Sequence, residues 1–339
     1  MANIQDVAKK AGVAPITVSR VINNSGYTSS ATRKRVEAAV AELGFVPNTL
    51  ARSLRSGQTH TLALVLTDIT NPFFTTLARG VEDTASAAGY TVIFCNTDES
   101  EEKERQYLQV LLQKRVDGIL LVPASSNPFA VRFVQEHDTA VVLLDRQVLG
   151  VKADVVRCDS EGGAYQLARL LVSQGHRRIA MFSGPRGVST SEDRVRGCRR
   201  AFTEAGLEDS ACHVYYGAFT QENGYALTQQ VLSANPRPTA VFAGNNFIAI
   251  GTQKALRDLG LRVPEDIALV GFDDLPPALV TFPFLTVAAQ PAYAMGQKAT
   301  ELLLARLSGS AAEEYQEVIL PTEIIVRQSS QLNLNLPQV

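Results

Sequence analysis

The sequence predicts a small all-α head followed by an α/β body of two lobes, each built on a doubly wound parallel sheet. Apolar residues recur at helical spacing near the start of the chain, whereas short apolar runs alternate with longer helical patterns from Thr61 onward. The order strand, polar turn, long helix, strand from Thr61 to Phe94 is repeated from Arg178 to Ala218. This repetition indicates two lobes of similar design.

Two short helices joined by a glycine-containing turn are predicted at the start of the chain. Gly12 interrupts the first helical pattern, and Pro15 suits the first turn of the second helix, where a missing N–H is harmless. One face of the first helix is apolar, through Ile4, Val7, Ala8 and Ala11. In the second helix the predicted inward residues are Val18, Val21 and Ile22, and the outward ones are Ile16, Thr17, Ser19 and Arg20. This arrangement indicates a helix-turn-helix, whose second helix enters the major groove of DNA.

A third helix and a basic charge balance complete the head. Ser29 is a suitable N-cap, the helix is expected to run to Leu43, and Gly44 is placed to end it. Residues 1–57 hold eight Lys or Arg against three Asp or Glu, a net charge of +5. The whole chain carries −2, so the remainder carries −7. A basic head on an acidic body is typical of a module that binds phosphates.

Near-continuous apolar runs in the body predict parallel strands that are buried on both faces. These runs are Thr61–Thr67, Tyr90–Cys95, Gly118–Val122, Ala140–Leu144, Arg178–Ser183, Ala240–Ala243 and Ile267–Gly271. Long helices are predicted after most of them, as at Phe73–Ala88, Glu102–Lys114 and Ser191–Ala205.

Composition predicts a cytoplasmic protein with well-filled cores. The chain has 339 residues, of which 45% are hydrophobic, and this length suits two or three domains. Its four cysteines are dispersed in the sequence, which favours reduced and mostly buried thiols. The first six residues lack the apolar core of a signal peptide. The longest apolar runs, near Leu62–Leu66 and Ile119–Val122, are too short to span a bilayer.

Polar side chains follow the predicted strands of both lobes, where open α/β sheets bind their ligands. They are Asp68, Asn71, Asp145, Arg146, Arg194, Asn245, Asn246, Asp273 and Asp274, with Phe73 and Phe74 beside them. Carboxylates and Arg side chains that bind adjacent hydroxyls, with aromatics against apolar ring faces, suit a sugar-like ligand between the lobes. The alternative is that strand-end Asp and Asn residues only cap the following helices.

Motifs of several enzyme classes are missing from the sequence. It contains no G-x-x-x-x-G-K-[ST], G-x-G-x-x-G, H-E-x-x-H or G-x-S-x-G. The four histidines are dispersed, without the spacing of metal ligands. We therefore expect no catalytic residue, no metal and no cofactor, although a carboxylate of the cleft could still act as a general base.

Nine sequence motifs occur in a specific order along nearly the full length of the chain. They are IQDVAKKAGVAPITVSRVIN, ELGFVPNTLARSLR, DITNPFF, VDGILLVP, LLDR, GHRRIAMFSGP, DRVRGCRRAF, PEDIALVGFDD and LTVAAQP. Through these motifs the chain resembles the LacI/GalR family of bacterial transcription repressors. The resemblance implies a body of the periplasmic-binding-protein type, control by a sugar or sugar derivative, and a homodimer on a palindromic operator.

The resemblance also implies roles in DNA binding. Pro15, Ile16 and Arg20 occupy positions that read base edges, and those that contact phosphates are Thr17 and Ser19. The segment from Asn48 to Arg55 matches a hinge helix that folds on the operator, with implied DNA contacts at Asn48, Ala51, Leu54 and Arg55. Leu54 matches a wedge that enters the minor groove and kinks the duplex. The alternative for this leucine is packing on its own domain.

A set of effector contacts in the cleft is implied in the same way. The set is Asn71, Phe73, Phe74, Asp145, Arg146, Arg194, Phe219, Asn246, Asp273 and Gln290. Asp159 falls at the start of a crossover between the lobes. Asn246 stands where many members have Asp, which leaves open a different hydroxyl pattern or charge in the effector. Ala14 stands where a Ser cap is frequent, so the second helix should lose about 1 kcal/mol of capping, partly offset by Pro15.

The predicted domains are a helix-turn-helix domain at 1–47, a hinge helix and linker at 48–58, and an effector-binding and dimerisation domain at 59–339. The lobe nearer the DNA is expected at about 60–160 and 291–320, and the distal lobe at about 161–290 and 321–332. The predicted function is a repressor on operator DNA in the nucleoid, without membrane association. The tail lacks an apolar heptad, which disfavours a tetramer. The alternatives are a pleiotropic regulator with a phosphoprotein corepressor, a sugar-binding protein, or an enzyme on the same fold.

Overall fold

The chain divides into two units, Met1–Thr59 and His60–Val339, in the computed structural model. The structure describes residues 2–46, 58–208, 211–276, 280 and 282–331. The predicted hinge helix therefore lies outside the described residues. Within these ranges, no helix is long and apolar enough to cross a membrane.

Three helices form the first unit, and their bounds are α1 (Ile4–Ala11), α2 (Pro15–Ile22) and α3 (Ser30–Leu43). α1 begins at a capping box, since the Asn3 and Asp6 side chains each accept a hydrogen bond from the other's backbone N–H. Ser29 caps α3, and Gly44 ends it with a φ of +56°. The inward faces share one core of Val7, Ala8, Ala11, Val18, Val21, Val36 and Ala39. The three predicted helices of the head are confirmed.

The first lobe of the body contains a six-stranded parallel sheet. Its strands are β1 (Thr61–Leu66), β2 (Thr91–Asn96), β3 (Gly118–Leu121), β4 (Ala140–Leu144), β5 (Asp154–Cys158) and β11 (Glu317–Leu320). They lie in the order β11-β5-β4-β3-β1-β2. The helices of this lobe are α4 (Pro72–Ala87), α5 (Glu101–Gln113), α6 (Phe129–Gln135) and α11 (Ala292–Ser308).

The second lobe repeats this design with one antiparallel edge. Its strands are β6 (Ile179–Ser183), β7 (Cys212–Tyr216), β8 (Ala240–Ala243), β9 (Ala268–Phe272), β10 (Thr286–Ala289) and β12 (Glu323–Ile325). They lie in the order β12-β10-β9-β8-β6-β7, and only the β10–β12 pair is antiparallel. The helices are α7 (Ser160–Ser173), α8 (Ser189–Glu204), α9 (Gln221–Leu232) and α10 (Asn246–Asp258). The predicted fold of two doubly wound, parallel-dominant lobes is confirmed.

The chain crosses between the lobes three times, after β5, after β10 and after β11. Each crossing is short, so the two sheets are tied at one side of the body. Asp159 lies at the first crossing, where its side chain caps α7 by accepting from the Gly162 N–H at 2.8 Å. The body therefore has the construction of two sheets joined by a multi-stranded hinge.

The prediction that the run Tyr90–Cys95 is buried on both faces is wrong. This run forms β2, which is the edge strand of the first sheet, and Phe94 is 42% exposed. Strands β5, β7, β10, β11 and β12 had no counterpart among the predicted apolar runs. In β5 the polar residues Asp154 and Arg157 interrupt the run, and β7, β11 and β12 are only partly buried. Hydrophobicity alone cannot distinguish an edge strand from a central one.

Glycines set the closest approach between helices that pack side by side. A Cβ on Gly197 of α8 would lie 2.1 Å from the Glu161 carbonyl oxygen of α7. In the other lobe, a Cβ on Gly296 of α11 would lie 2.2 Å from the Leu77 carbonyl oxygen of α4. Both distances are far shorter than a van der Waals contact between a carbon atom and a backbone oxygen. The helices can therefore be this close only because these two positions lack side chains.

Replacing Gly197 by Ala is expected to lower the free energy of unfolding by about 1–3 kcal/mol, because the new methyl group must push α7 away from α8. Chemical denaturation followed by circular dichroism measures the change. Thr203→Ala is the matched control, since Thr203 is exposed on the same helix. Equal stability of the two variants would show that α7 and α8 are not packed as described.

Candidate functional site

A cavity of about 450 Å³ lies between the two lobes of the body, at the carboxyl ends of both sheets. Residues that follow β1, β2 and β4 line it from one side, and residues that follow β6 to β10 line it from the other. The lining residues are Thr67, Asp68, Thr70, Asn71, Phe73, Phe74, Asp98, Glu99, Asp145, Arg146, Pro185, Thr190, Arg194, Ala218, Phe219, Thr220, Asn245, Asp273 and Gln290.

Two aspartates occupy equivalent positions in the two lobes. Asp145 follows β4 and Asp273 follows β9, and both have left-handed backbones, with φ of +62° and +68°. The Asp145 N–H donates to the Val156 carbonyl at 2.9 Å, and the Asp273 N–H donates to the Ala288 carbonyl at 3.0 Å. Non-glycine residues with this backbone concentrate at functional sites. Each sheet thus presents one buried carboxylate to the cavity.

Each aspartate lies near a buried arginine. Arg146 is 3% exposed, and Glu99 accepts from its Nη1 and Nη2 atoms at 2.6 Å each. Arg194 is 4% exposed, donates from Nη1 to the Gly244 carbonyl at 2.7 Å, and lies 4.0 Å from the Phe272 ring centroid. These contacts hold both guanidinium groups in place without using all of their donors.

Five polar atoms of residues that line the cavity or bond to its lining are buried and have no hydrogen-bond partner among the described residues. They are Thr67 Oγ1, Asp145 Oδ1, Arg146 Nε, Arg194 Nε and Asn246 Oδ1. The two arginine atoms are donors, the Asp145 and Asn246 oxygens are acceptors, the Thr67 hydroxyl can be either, and each lobe contributes at least one donor and one acceptor. Because an unpaired buried polar group costs about 1–3 kcal/mol, a ligand that pairs with these atoms would bind favourably. Hydroxyl groups, which both donate and accept, match this set.

Burial sets the ionisation of the two aspartates. It raises the pKa of Asp145 to about 6, although the nearby Arg146 and Arg194 charges oppose the shift. It also raises the pKa of Asp273, against the Arg194 charge and a hydrogen bond from Gln290. Both carboxylates are therefore more costly to ionise than an exposed carboxylate is, and a ligand hydroxyl would supply a further donor.

Aromatic rings form the apolar part of the wall. Phe73 and Phe74 meet edge to face with ring centroids 5.0 Å apart. From the other lobe, the Phe219 ring centroid lies 5.8 Å from the Arg146 guanidinium carbon. Gly184 makes room for this ring, because a Cβ there would lie 2.0 Å from Phe219 Cζ. Rings beside buried polar groups suit a ligand with apolar and hydroxylated faces.

Direct hydrogen bonds join the two lobes around the cavity. Asn246 Nδ2 donates to Asn71 Oδ1 at 2.9 Å, and the Gln147 N–H donates to Ser189 Oγ at 2.9 Å. The Ser126 hydroxyl donates to the Gly187 carbonyl. The cavity is therefore bounded by contacts that depend on the relative position of the lobes.

Nine of the ten residues expected to contact an effector line this cavity, and the tenth, Asn246, bonds to the lining residue Asn71. Asp274, which also follows β9, does not line it, because its carboxylate accepts from Arg327 Nη1 and Nη2 at 2.7 Å each. Sequence reasoning missed Glu99 and Thr190. Glu99 follows the predicted run Tyr90–Cys95, and Thr190 lies in the first turn of α8 after the run Arg178–Ser183. Neither comes directly after its strand, as Asp145 and Asp273 do, so its position gave no comparable signal.

The head presents the predicted DNA-reading side chains on α2. Pro15, Ile16 and Arg20 are exposed, Ile16 by 58%, whereas Thr17 and Ser19 are half-buried. Ala14 precedes α2 without a side-chain cap, and Pro15 occupies the first turn, as the sequence indicated. Asn48, Ala51, Leu54 and Arg55 lie outside the described residues, so their predicted DNA contacts remain predictions.

Metal-type clusters and the cysteines add no second site. The described part of the chain contains no group of three or more His, Cys, Asp or Glu placed to hold a metal ion. All four cysteines are free and buried, as predicted. His176 is half-buried, and its Nδ1 lies 2.9 Å from Thr239 Oγ1, outside the cavity.

Two family models match the chain in the order of its two units. Residues 3–48 match the model described as bacterial regulatory proteins, lacI family. Residues 59–328 match the model described as periplasmic binding proteins and sugar binding domain of LacI family. The chain belongs to the LacI family. Its first unit is the DNA-binding head of that family, and its second is the sugar-binding-type body.

Relatives and solved structures agree with this assignment. The chain is 36% identical to the ribose operon repressor of Escherichia coli K12 over 322 residues, which cover 95% of this chain and 98% of the relative. It is 36% identical to the transcriptional repressor PurR of Vibrio vulnificus over 328 residues, 96% and 98% of the two chains. A lac repressor dimer bound to operator and the anti-inducer ONPF matches with a TM-score of 0.86 and 26% identity over 98% of this chain and 99% of that one. These LacI-family relatives are transcriptional repressors and not enzymes.

Proposed function

We propose that this protein represses transcription by binding a palindromic operator as a homodimer, and that a neutral sugar in the cleft releases it. The observation that carries the proposal is the set of buried unpaired atoms contributed by both lobes, Thr67 Oγ1, Asp145 Oδ1, Arg146 Nε, Arg194 Nε and Asn246 Oδ1. A polyhydroxylated ligand can pair with all of them at once. Since they come from opposite lobes, such a ligand would favour one relative position of the lobes over others.

The charge of the cavity favours a neutral ligand over an anionic one. Its lining has two cationic side chains, Arg146 and Arg194, against five carboxylates, Asp68, Asp98, Glu99, Asp145 and Asp273. Arg146 is already paired with Glu99. A phosphate group would meet an excess of negative charge there, whereas a neutral sugar would not.

On the DNA side, the proposal assigns base recognition to the exposed face of α2. Arg20 can donate two parallel hydrogen bonds to a guanine, and Pro15 and Ile16 can contact base edges. Thr17 and Ser19 would bond to phosphates. The hinge contacts would come from Asn48, Ala51, Leu54 and Arg55, with Leu54 as the minor-groove wedge. This role would place the protein on the nucleoid of a bacterial cytoplasm.

Coupling between the two sites would follow from a two-state arrangement of the lobes. Sugar binding would stabilise the arrangement of the lobes in which the two hinge helices of the dimer are apart and cannot pair. The operator complex would then lose the wedge contacts. A dimer is required for this coupling, because two heads must reach two half-sites of one palindrome.

A thermal-shift screen tests the ligand class. The panel contains pentoses, hexoses, sugar acids, sugar phosphates and purine bases, each added to the full chain. A neutral sugar is expected to raise the melting temperature, since a ligand at 100 times its Kd adds about 2.7 kcal/mol to the free energy of unfolding. Stabilisation by sugar phosphates or purines alone would contradict the proposed neutral sugar.

Operator binding is expected to weaken steeply with salt. If the head neutralises about six phosphates, the affinity should fall about 10³-fold between 50 and 200 mM salt. Fluorescence anisotropy with a duplex selected from random sequences measures this dependence. An affinity that does not change with salt would contradict phosphate binding by the basic head.

A further inference from the structure

Glu104 is a buried carboxylate that lies outside the cavity and contacts a backbone segment next to it. It belongs to α5, is 5% exposed, and is not among the residues that line the cavity. Its Oε2 atom accepts a hydrogen bond from the Ala124 N–H at 2.7 Å. This backbone N–H belongs to the segment that follows β3, so the contact joins α5 to that segment.

The same segment holds the Arg146 guanidinium. Arg146 Nη1 donates to the Pro123 carbonyl at 2.9 Å and lies 3.4 Å from the Ala124 carbonyl. Ser126, two residues further along, donates to the Gly187 carbonyl in the other lobe. Residues 123–126 therefore touch Glu104 on one side, and Arg146 and the opposite lobe on the other.

We propose that Glu104 is a positioning residue for ligand binding, which fixes residues 123–126 and through them the Arg146 side chain in the cleft. The proposal rests on the proposed function, since it assigns Arg146 to the ligand. Glu99 alone cannot define the guanidinium position, because it is 32% exposed in its side chain and lies in the loop after the edge strand β2. The carbonyl groups of Pro123 and Ala124 are a second, buried contact for the Arg146 guanidinium. Glu104 fixes the position of these carbonyls by accepting the hydrogen bond from the Ala124 N–H.

The pKa of Glu104 predicts that its hydrogen bond from the Ala124 N–H depends on pH. Burial raises its pKa to about 7, the neighbouring Glu101 and Glu99 carboxylates act in the same direction, and the Ala124 N–H and the Arg146 charge oppose them. The carboxylate accepts from Ala124 more strongly than the neutral acid does. The anchor is therefore expected to tighten as the pH rises through about 7.

Amide hydrogen exchange of the ligand-free full chain tests the anchor directly. In the unmodified protein, the protection factor of the Ala124 amide is expected to rise between about pH 6 and pH 8, after correction for intrinsic exchange. In Glu104→Gln this rise should be absent and the protection about tenfold lower. Glu102→Gln is the matched control, since Glu102 lies on the same helix and is exposed. Equal protection in both variants would overturn the proposal.

Ribose affinity, measured by calorimetry, tests the consequence for the ligand. Glu104→Gln is expected to bind about tenfold more weakly than the unmodified protein, and Arg146→Lys is expected to weaken binding as well. If Glu104 acts through Arg146, adding Glu104→Gln to Arg146→Lys should change the affinity by less than about twofold. Fully additive losses would overturn the positioning role. Loss of Ala124 protection in a protein that binds no sugar at all would support the anchor and contradict the proposed function.

Discussion

Asp145→Asn is expected to reduce sugar-induced stabilisation at a given sugar concentration while making the ligand-free protein more stable at about pH 7.5. Burial raises the pKa of Asp145 from 3.8 to about 6. The contribution of this carboxyl to stability is therefore complete below pH 3.8 and is lost as the pH rises through about 6. Removing the ionised group should raise the free energy of unfolding by about 1–3 kcal/mol.

The affinity for the sugar should fall in the same variant, because the amide that replaces the carboxylate cannot offer the ligand a charged acceptor. Loss of a hydrogen bond to a charged group costs about 1.5–3 kcal/mol, or roughly 10- to 150-fold in affinity. Denaturation at several pH values and calorimetry with the sugar measure the two effects. Asp138→Asn is the matched control, since Asp138 is exposed and also has a left-handed backbone, with φ of +54°. An unchanged sugar affinity in Asp145→Asn would show that the ligand does not use this carboxylate.

Arg20→Ala is expected to lower operator affinity by about 1–3 kcal/mol and to relax preference at one base pair of each half-site. The side chain is exposed on α2, where a guanidinium can reach the major groove. Affinity for the operator and for random DNA is compared by anisotropy at one salt concentration. Lys34→Ala removes one positive charge from α3 and should lower the affinity for the operator and for random DNA by the same factor. If Arg20→Ala also lowered the affinity for both DNAs by the same factor, Arg20 would contact phosphates and not bases.

Much of the fold follows from short-range patterns. The caps at Ser29 and Gly44, and the apolar runs of β3, β4, β8 and β9, were readable because each depends on residues close together in sequence. The exposure of β2 was not readable, since its position at the sheet edge depends on strand order. Strand order is set by packing of the whole lobe.

The cavity shows the same division. Asp145 and Asp273 could be placed from sequence because they directly follow buried strands. Gln290 and Phe219 were identified only through family resemblance. The pairing of Glu99 with Arg146 spans 47 residues, and the Asn71–Asn246 bond spans 175 residues and two lobes. No local pattern encodes such contacts, because they depend on how the lobes meet.

Operator affinity with and without the sugar tests the central claim, that the cleft controls DNA binding. The measurement is anisotropy of the selected operator duplex, titrated with the unmodified protein and with Asp145→Asn. A sugar concentration that just saturates the unmodified protein is expected to weaken its operator binding about 5- to 150-fold, the range of common coupling energies. The same concentration should affect Asp145→Asn less, because the sugar affinity of this variant is lower by about 10- to 150-fold. A sugar that binds the cleft by calorimetry and leaves operator affinity unchanged would contradict the account.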